Sequence, residues 1–279
     1  MSSMLALIRF MLRVTSVVAP PLAVWWVYRT WFRAPRFKEP KREARWRNSA
    51  RSESIQSDYG RMQLFHWGEQ GRPVVMLVHG WSGRGAQLGA FAAPLVEAGY
   101  HVIAFDAPAH GSSDGKWTTL FRIAEVQKRI IDLYGMPHAI VSHSFGCLVT
   151  AYSVRHYSLP IKNLIMISSP TTVDYLIDKF VKTLRIPNHI RDAFIRRFKA
   201  EYGEDLYEQV AADRNLQSYQ ERLLIIHDKN DRDVKWQCSE LLKQARPDAK
   251  VVYTEHLGHR RILRDKAVIK LLLAFIQGS

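Results

Sequence analysis

The stretch AIVSHSFGCLV, residues 139–149, decides the fold. An apolar run, Ala139–Val141, stops at Ser142-His143-Ser144-Phe145-Gly146, and a second apolar run follows. A short β-branched run bounded by small residues reads as a buried strand, and the run after it as a buried helix. A serine at that junction sits in a sharp strand-to-helix turn with its hydroxyl thrust outward. Such a turn is crowded, so the residues two before and two after the serine must be small. Ser144 has Ser142 and Gly146 at those places; Ser142 would have Ile140 and Ser144, and Ile140 is bulky. Ser144 is therefore the candidate nucleophile and Ser142 a small spacer. His143 lies next to Ser144 in the turn. It cannot easily set one ring nitrogen on the serine hydroxyl while a carboxylate orients the other, so a local packing role is assigned to it.

Outward from this elbow, the same apolar pattern recurs in PVVMLVHG (73–80), HVIAFDAP (101–108), NLIMISSP (163–170), RLLIIHD (222–228) and KVVYTEH (250–256). Helical stretches lie between or after these runs, at 86–98, 119–134, 145–157, 236–246 and 261–277. Strands alternating with helices predict an α/β fold, a mostly parallel doubly wound sheet. Ahead of it, SIQSDYGRMQLFHWG (54–68) reads as a hairpin turning near Asp58, Tyr59 and Gly60. One interval breaks the rhythm: residues 171–218 carry helical patterning, as in DYLIDKFVKTL and HIRDAFIRRFKAEYG. An insertion there, over the carboxyl ends of the strands, predicts a helical lid.

Ser144 needs a base and an acid from other strand-end loops, which in such a sheet follow in the order serine, acid, histidine. The loop after the 222–228 strand offers Asp228, Asp231 and Asp233. The loop after the 250–256 strand offers His256 and His259. The Gly258-His259 pair, just before a helix, favours His259 over His256, which ends the strand. Acyl transfer also needs donors for a developing oxyanion. The Phe145 N–H, at the start of the helix after the elbow, is one. The loop HGWSGRG (79–85) supplies the other, with Trp81 the expected donor.

Taken together, HGWSG (79–83), FDAPAHGSS (105–113), SHSFG (142–146), HDKNDRDV (227–234) and GHRRIL (258–263) resemble the α/β-hydrolase superfamily over about residues 54–277. The resemblance implies a Ser144 nucleophile, a His259 base and, from the last residue of its H-G-x-x-D loop, Asp231 as the acid, with Asp228 or Asp233 as the remaining candidates. It also implies a structural role for His110. Ser142 departs from the family's usual first glycine. Serine in place of aspartate at the nucleophile argues against a dehalogenase.

The net charge of +14 is uneven: residues 1–51 hold eleven cations and two acids, a net +9. The apolar segment 4–32, MLALIRFMLRVTSVVAPPLAVWWVYRTWF, carries Arg9 and Arg13 early and Trp25, Trp26, Tyr28 and Trp31 late, as an interfacial aromatic belt would. Its uninterrupted part, Val14 to Tyr28, is short for a span, and Pro20-Pro21 would kink it. The expected domains are a membrane anchor or interfacial helix at 1–32, a basic linker at 33–52 and an α/β-hydrolase domain at 53–279. A transmembrane helix is among the expectations for the first segment. Most of the early cations follow the apolar run, which predicts a membrane-associated protein with its catalytic domain on the cytoplasmic side. Cys147 and Cys238 form no metal-ligand spacing, and two cysteines make no disulfide framework. No cofactor, metal or nucleic-acid partner is expected. The expected activity is cleavage of carboxylic esters, hydrophobic or acyl-lipid-like, through an acyl-enzyme. Thioesterase, amidase or lyase chemistry at the same residues, or a membrane-tethered binding protein, are the alternatives.

Overall fold

In the computed structural model, which describes residues 2–278, alternate residues of the central strands feed two cores, one on each sheet face. The strands are β1 (Arg51–Ser57), β2 (Gly60–Trp67), β3 (Val74–Val78), β4 (His101–Phe105), β5 (Ala139–His143), β6 (Asn163–Ile167), β7 (Arg222–Asp228) and β8 (Lys250–Thr254). Met76, Ile103, Ile140 and Leu164 face one core; Val75, Val102, Val141 and Ile165 face the other. Strands buried on both faces cannot alternate polar with apolar, which is why they read as unbroken apolar runs. The sheet order is β1-β2-β4-β3-β5-β6-β7-β8. β1 and β2 form the hairpin, and β2 is antiparallel to β4; every later pairing is parallel. The α/β-hydrolase fold expected from the sequence is thus the fold observed. The chain leaves β3 for β4 on one side and returns to β5 on the other, so the switch point lies between the carboxyl ends of β3 and β5, where open sheets hold their ligands.

The helices are α1 (Ser2–Val18), α2 (Pro20–Trp31), α3 (Lys41–Ser49), α4 (Ala92–Glu97), α5 (Leu120–Tyr134), α6 (Phe145–His156), α7 (Val173–Leu184), α8 (Asn188–Tyr202), α9 (Leu206–Gln209), α10 (Ala212–Leu216), α11 (Gln237–Ala245), α12 (Gly258–Arg261) and α13 (Lys266–Gln277). The predicted helix 86–98 splits into a 3-10 segment at Gly85–Phe91 followed by α4. The predicted helix 261–277 splits as well. Asp265 accepts from the Ala267 and Val268 N–H groups and starts α13 afresh, leaving α12 as a separate turn beside the site. A cap of this kind contributes about 1 kcal/mol.

The N-terminal segment folds back on the domain. No helix among the described residues is long and apolar enough to cross a membrane, so the expected transmembrane helix is not formed. Pro20 and Pro21 open α2 after a non-helical Ala19, and Ala19 separates two shorter helices. Leu12, Ala23, Val27, Tyr28 and Phe32 are buried. Trp31 meets Phe180, Phe194 and Phe198 edge-on, with ring centroids 5.2, 5.9 and 6.4 Å apart. Each such pair adds about 0.5–1.5 kcal/mol beyond the area it buries. Tyr28 donates to the Glu201 carboxylate on α8. α1 and α2 leave Leu7, Phe10, Val14, Val17, Val18, Leu22 and Trp25 exposed.

Residues 33–52, expected as a basic linker, contain α3, and Arg51 and Ser52 already belong to β1. α3 is held because Trp46 seats on Gly89, whose missing side chain leaves it room, and because the buried Glu43 faces Arg84 at 3.5 Å. The 171–218 interval holds α7 to α10, as the helical patterning predicts.

Candidate active site

β5 ends in His143, and Ser144 follows with φ 55° and ψ −124°, a left-handed conformation unfavourable for a residue with a side chain. The strain persists because the turn is closed on every side. A Cβ on Gly146 would come 2.6 Å from the His79 carbonyl oxygen and 2.7 Å from that of Val78. Ser142 fills the position two residues before Ser144 without crowding, and its hydroxyl is satisfied by the Ile165 carbonyl at 3.1 Å. The size rule that selected Ser144 thus has visible causes on both flanks.

The structure brings Ser144, His259 and Asp231 together. His259 Nε2 lies 3.0 Å from Ser144 Oγ, and His259 Nδ1 lies 2.7 Å from Asp231 Oδ2. With Nδ1–H donated to the carboxylate, Nε2 is free to accept from the serine hydroxyl. Asp231 Oδ1 accepts from the backbone N–H groups of Asp233 at 2.7 Å and Val234 at 2.9 Å. Burial alone would raise the Asp231 carboxyl, but hydrogen bonds from His227, His259 and Val234 outweigh it and hold the group far below the ordinary carboxylate range. Asp231 is therefore a fixed anion.

The two other aspartates of this loop do different things. Asp228 Oδ2 accepts from the Thr254 hydroxyl and the Leu257 N–H, and Oδ1 from the Asn230 N–H. It ties the two loops together beneath His259. Asp233 pairs with Lys179 on α7 at 2.9 Å. His256 is exposed, with its N–H on Asn230. Asp231, Asp233 and His259 bring ligand atoms within 4.8 Å of one another, as a metal site would. Two of the three are already engaged with each other and the third with Lys179.

The loop after β3 faces the elbow. A Cβ on Gly80 would meet the Ser144 Cβ at 2.9 Å, so only glycine lets the loop approach this closely. Neither the Trp81 nor the Phe145 N–H has an intramolecular acceptor among the described residues. The two rings meet edge-on at 5.2 Å. Two of the three supporting residues, His79 and Asp106, were not singled out by the sequence. His79 accepts from the Ala107 N–H at 3.0 Å and donates to the Gly80 carbonyl at 2.7 Å, fixing the turn that carries Trp81. Asp106 accepts from Gly85 and Ser112 N–H groups, both at 2.7 Å, and joins the same loop to residues 106–113; burial pushes its carboxyl up to about 6. His143 donates Nε2–H to the His259 carbonyl at 2.9 Å. The only sequence signal for these was their place inside the quoted loop motifs. His110 is buried against the Pro108 carbonyl, consistent with a structural role.

A cleft of about 640 Å³ opens over Ser144 and His259, with Trp46, Trp81, Leu176, Val234 and Leu263 among its walls.

Comparison with known proteins agrees with this architecture. Residues 73–202 match the model of a family described as alpha/beta hydrolase fold. Among solved structures, a putative lipase from Acinetobacter baumannii superposes with a TM-score of 0.65 at 20% identity, covering 88% of this chain and 98% of its own. A bacterial membrane phospholipase A gives 0.64 at 19% identity, covering 97% and 98%. A thioesterase domain from the curacin biosynthetic pathway gives 0.63 at 18%, covering 83% and 100%. Among curated proteins none matches. At such identities the solved structures speak to the fold alone.

Proposed function

We propose that this chain is a serine hydrolase that cleaves carboxylic esters through an acyl-enzyme on Ser144. The observation that carries the reading is the unbroken hydrogen-bonded relay from Ser144 through His259 to Asp231, set on a strained elbow. His259 Nε2 would take the proton as Ser144 Oγ attacks the acyl carbon. Asp231 holds the imidazole in the tautomer this requires and stabilises the imidazolium. The oxyanion would lie between the Trp81 and Phe145 N–H groups, the second aided by the α6 dipole. The protonated His259 then donates to the leaving alkoxide, and an activated water releases the acid. The lipase, phospholipase and thioesterase among the structural neighbours fit acyl transfer. Labelling by a fluorophosphonate probe tests the reading. The wild type should label and the Ser144→Ala variant should not; an unlabelled wild type would sink it.

The N-terminal helices support a second part of the reading, association with a membrane surface. Nine large apolar side chains on α1 and α2, Met4 and Met11 with the seven named above, face outward, and Arg13, Arg29 and Arg33 are exposed beside them. An apolar stripe flanked by cations suits the interface of an anionic bilayer, with the helices lying in its plane. Co-sedimentation with anionic vesicles should be strong and should weaken in a Phe10→Ser/Trp25→Ser variant. Equal binding by both proteins would remove this part. On this reading the domain stands at the membrane surface, on the cytoplasmic side that the trailing cations favour.

A further inference from the structure

The walls of the cleft over Ser144 carry an excess of one charge. Lys38 precedes α3, Arg42 lies on α3, and Arg84 follows β3. Lys179 is on α7, while Arg260 and Arg264 follow β8. These six cations come from four separate segments of the chain, and the same walls hold two acids, Glu43 and Asp233. Both acids are already matched. Glu43 lies 3.5 Å from Arg84 and 4.0 Å from Arg42, and Asp233 lies 2.9 Å from Lys179. Lys38, Arg260 and Arg264 make no ion pair among the described residues, and all three are exposed at the mouth. Lys38 and Arg42 belong to the basic segment 1–51, but general basicity does not account for Arg84, Lys179, Arg260 and Arg264. Residues 52–279 carry a net charge of only +5, near balance for 228 residues.

We propose that the cleft takes esters bearing an anionic group, phosphate or carboxylate, which Lys38, Arg260 and Arg264 hold while the acyl carbon lies at Ser144. The proposal rests on the hydrolase reading and names its substrate class. Like charges gathered around one concavity repel one another until an anion enters, and a partly desolvated cleft focuses that field. Guanidinium groups suit the task because they grip phosphate and carboxylate oxygens in pairs. Arg260 is the residue after His259, so an anion bound there is tethered beside the base. The apolar walls, Trp46, Trp81, Leu176 and Leu263, remain for the acyl chain. The cleft therefore fits an amphiphile with a charged end.

Two matched substrate pairs test this, all short-chained so that they stay monomeric. The first pair is 1-hexanoylglycerol against 1-hexanoylglycerol 3-phosphate, with the charge on the leaving group. The second is 4-nitrophenyl butyrate against 4-nitrophenyl hydrogen glutarate, with the charge on the acyl side. We expect the anionic member of at least one pair to show a KM about tenfold lower, and the advantage to shrink as salt rises. The pair that shows it locates the anion. In an Arg260→Gln/Arg264→Gln variant the anionic-to-neutral ratio of kcat/KM should fall toward one, with the neutral ester as internal reference. Hydrolysis without selectivity in either pair, or selectivity that survives the double substitution, overturns the anion site and leaves the hydrolase reading standing. Absence of hydrolysis of all four esters overturns both.

Discussion

His143 reaches across the elbow and donates its Nε2–H to the backbone carbonyl of His259, at 2.9 Å. The two rings lie 4.6 Å apart, and His143 Nδ1 is buried without a partner. Burial holds His143 neutral, so on the proposed mechanism it positions His259 rather than sharing its proton. In a His143→Phe variant kcat should fall about tenfold with little change in KM, while His259→Ala should lose on the order of 10⁴-fold or more. Steady-state kinetics on one ester, with the two variants side by side, makes the comparison. Equal losses would make His143 a second proton carrier.

The two serines of the elbow should behave oppositely. Ser144→Ala should lose on the order of 10⁴–10⁶ in kcat. Ser142→Ala should stay within a few-fold, since Ser142 offers only its size and one hydrogen bond to Ile165. Ser142→Val, overfilling a site that is fully buried, should cost about 1–3 kcal/mol. Activity and thermal melts on the three variants read both effects.

The aspartates of the β7 loop separate by the same logic. Asp231→Asn removes the fixed anion from His259 and should lower kcat by on the order of 10⁴ while the fold survives. Asp228→Asn leaves an amide facing three donors from Asn230, Thr254 and Leu257. We expect it to cost about 2 kcal/mol of stability with a smaller loss of rate. A denaturant titration beside the kinetics distinguishes them.

Acid should unfold this protein through its buried histidines. Burial pushes His79 down to about 3 and His110 down to about 4. Above the ordinary histidine value of about 6.5 both states are neutral and no penalty arises. As pH falls below it, the unfolded chain takes up protons that the folded one refuses, and stability is lost. At pH 5 the loss is about 2 kcal/mol for each of the two. Asp106, held up near 6, titrates the other way and offsets part of this. The melting temperature should drop between pH 7 and pH 5, and the drop should be smaller in a His110→Gln variant.

The fold and the elbow were legible because they rest on local rules. The apolar runs gave the strands, and the two small residues flanking Ser144 identified the elbow. The residue-level reading left the acid among three aspartates. Only the resemblance favoured Asp231, because which carboxylate faces His259 depends on how two distant loops meet. Asp228 is drawn down to Thr254 and Leu257, and Asp233 outward to Lys179. The supporting contacts of His79, Asp106 and His143 were invisible for the same reason. For the N-terminus an anchor or interfacial helix kinked at Pro20-Pro21 was expected, with a transmembrane helix among the expectations; the transmembrane helix is not formed, and the packing of α2 on the aromatic rings of α7 and α8, far away in sequence, was not legible locally.

That last packing has a practical consequence. Removing the first 32 residues, an ordinary step when a hydrophobic leader is thought to be dispensable, would strip Tyr28, Trp31 and Phe32 from Phe180, Phe194 and Phe198. The shortened chain would present these rings to water as a sticky face. It should self-associate where the 279-residue chain stays dispersed in mild detergent, a contrast that light scattering resolves.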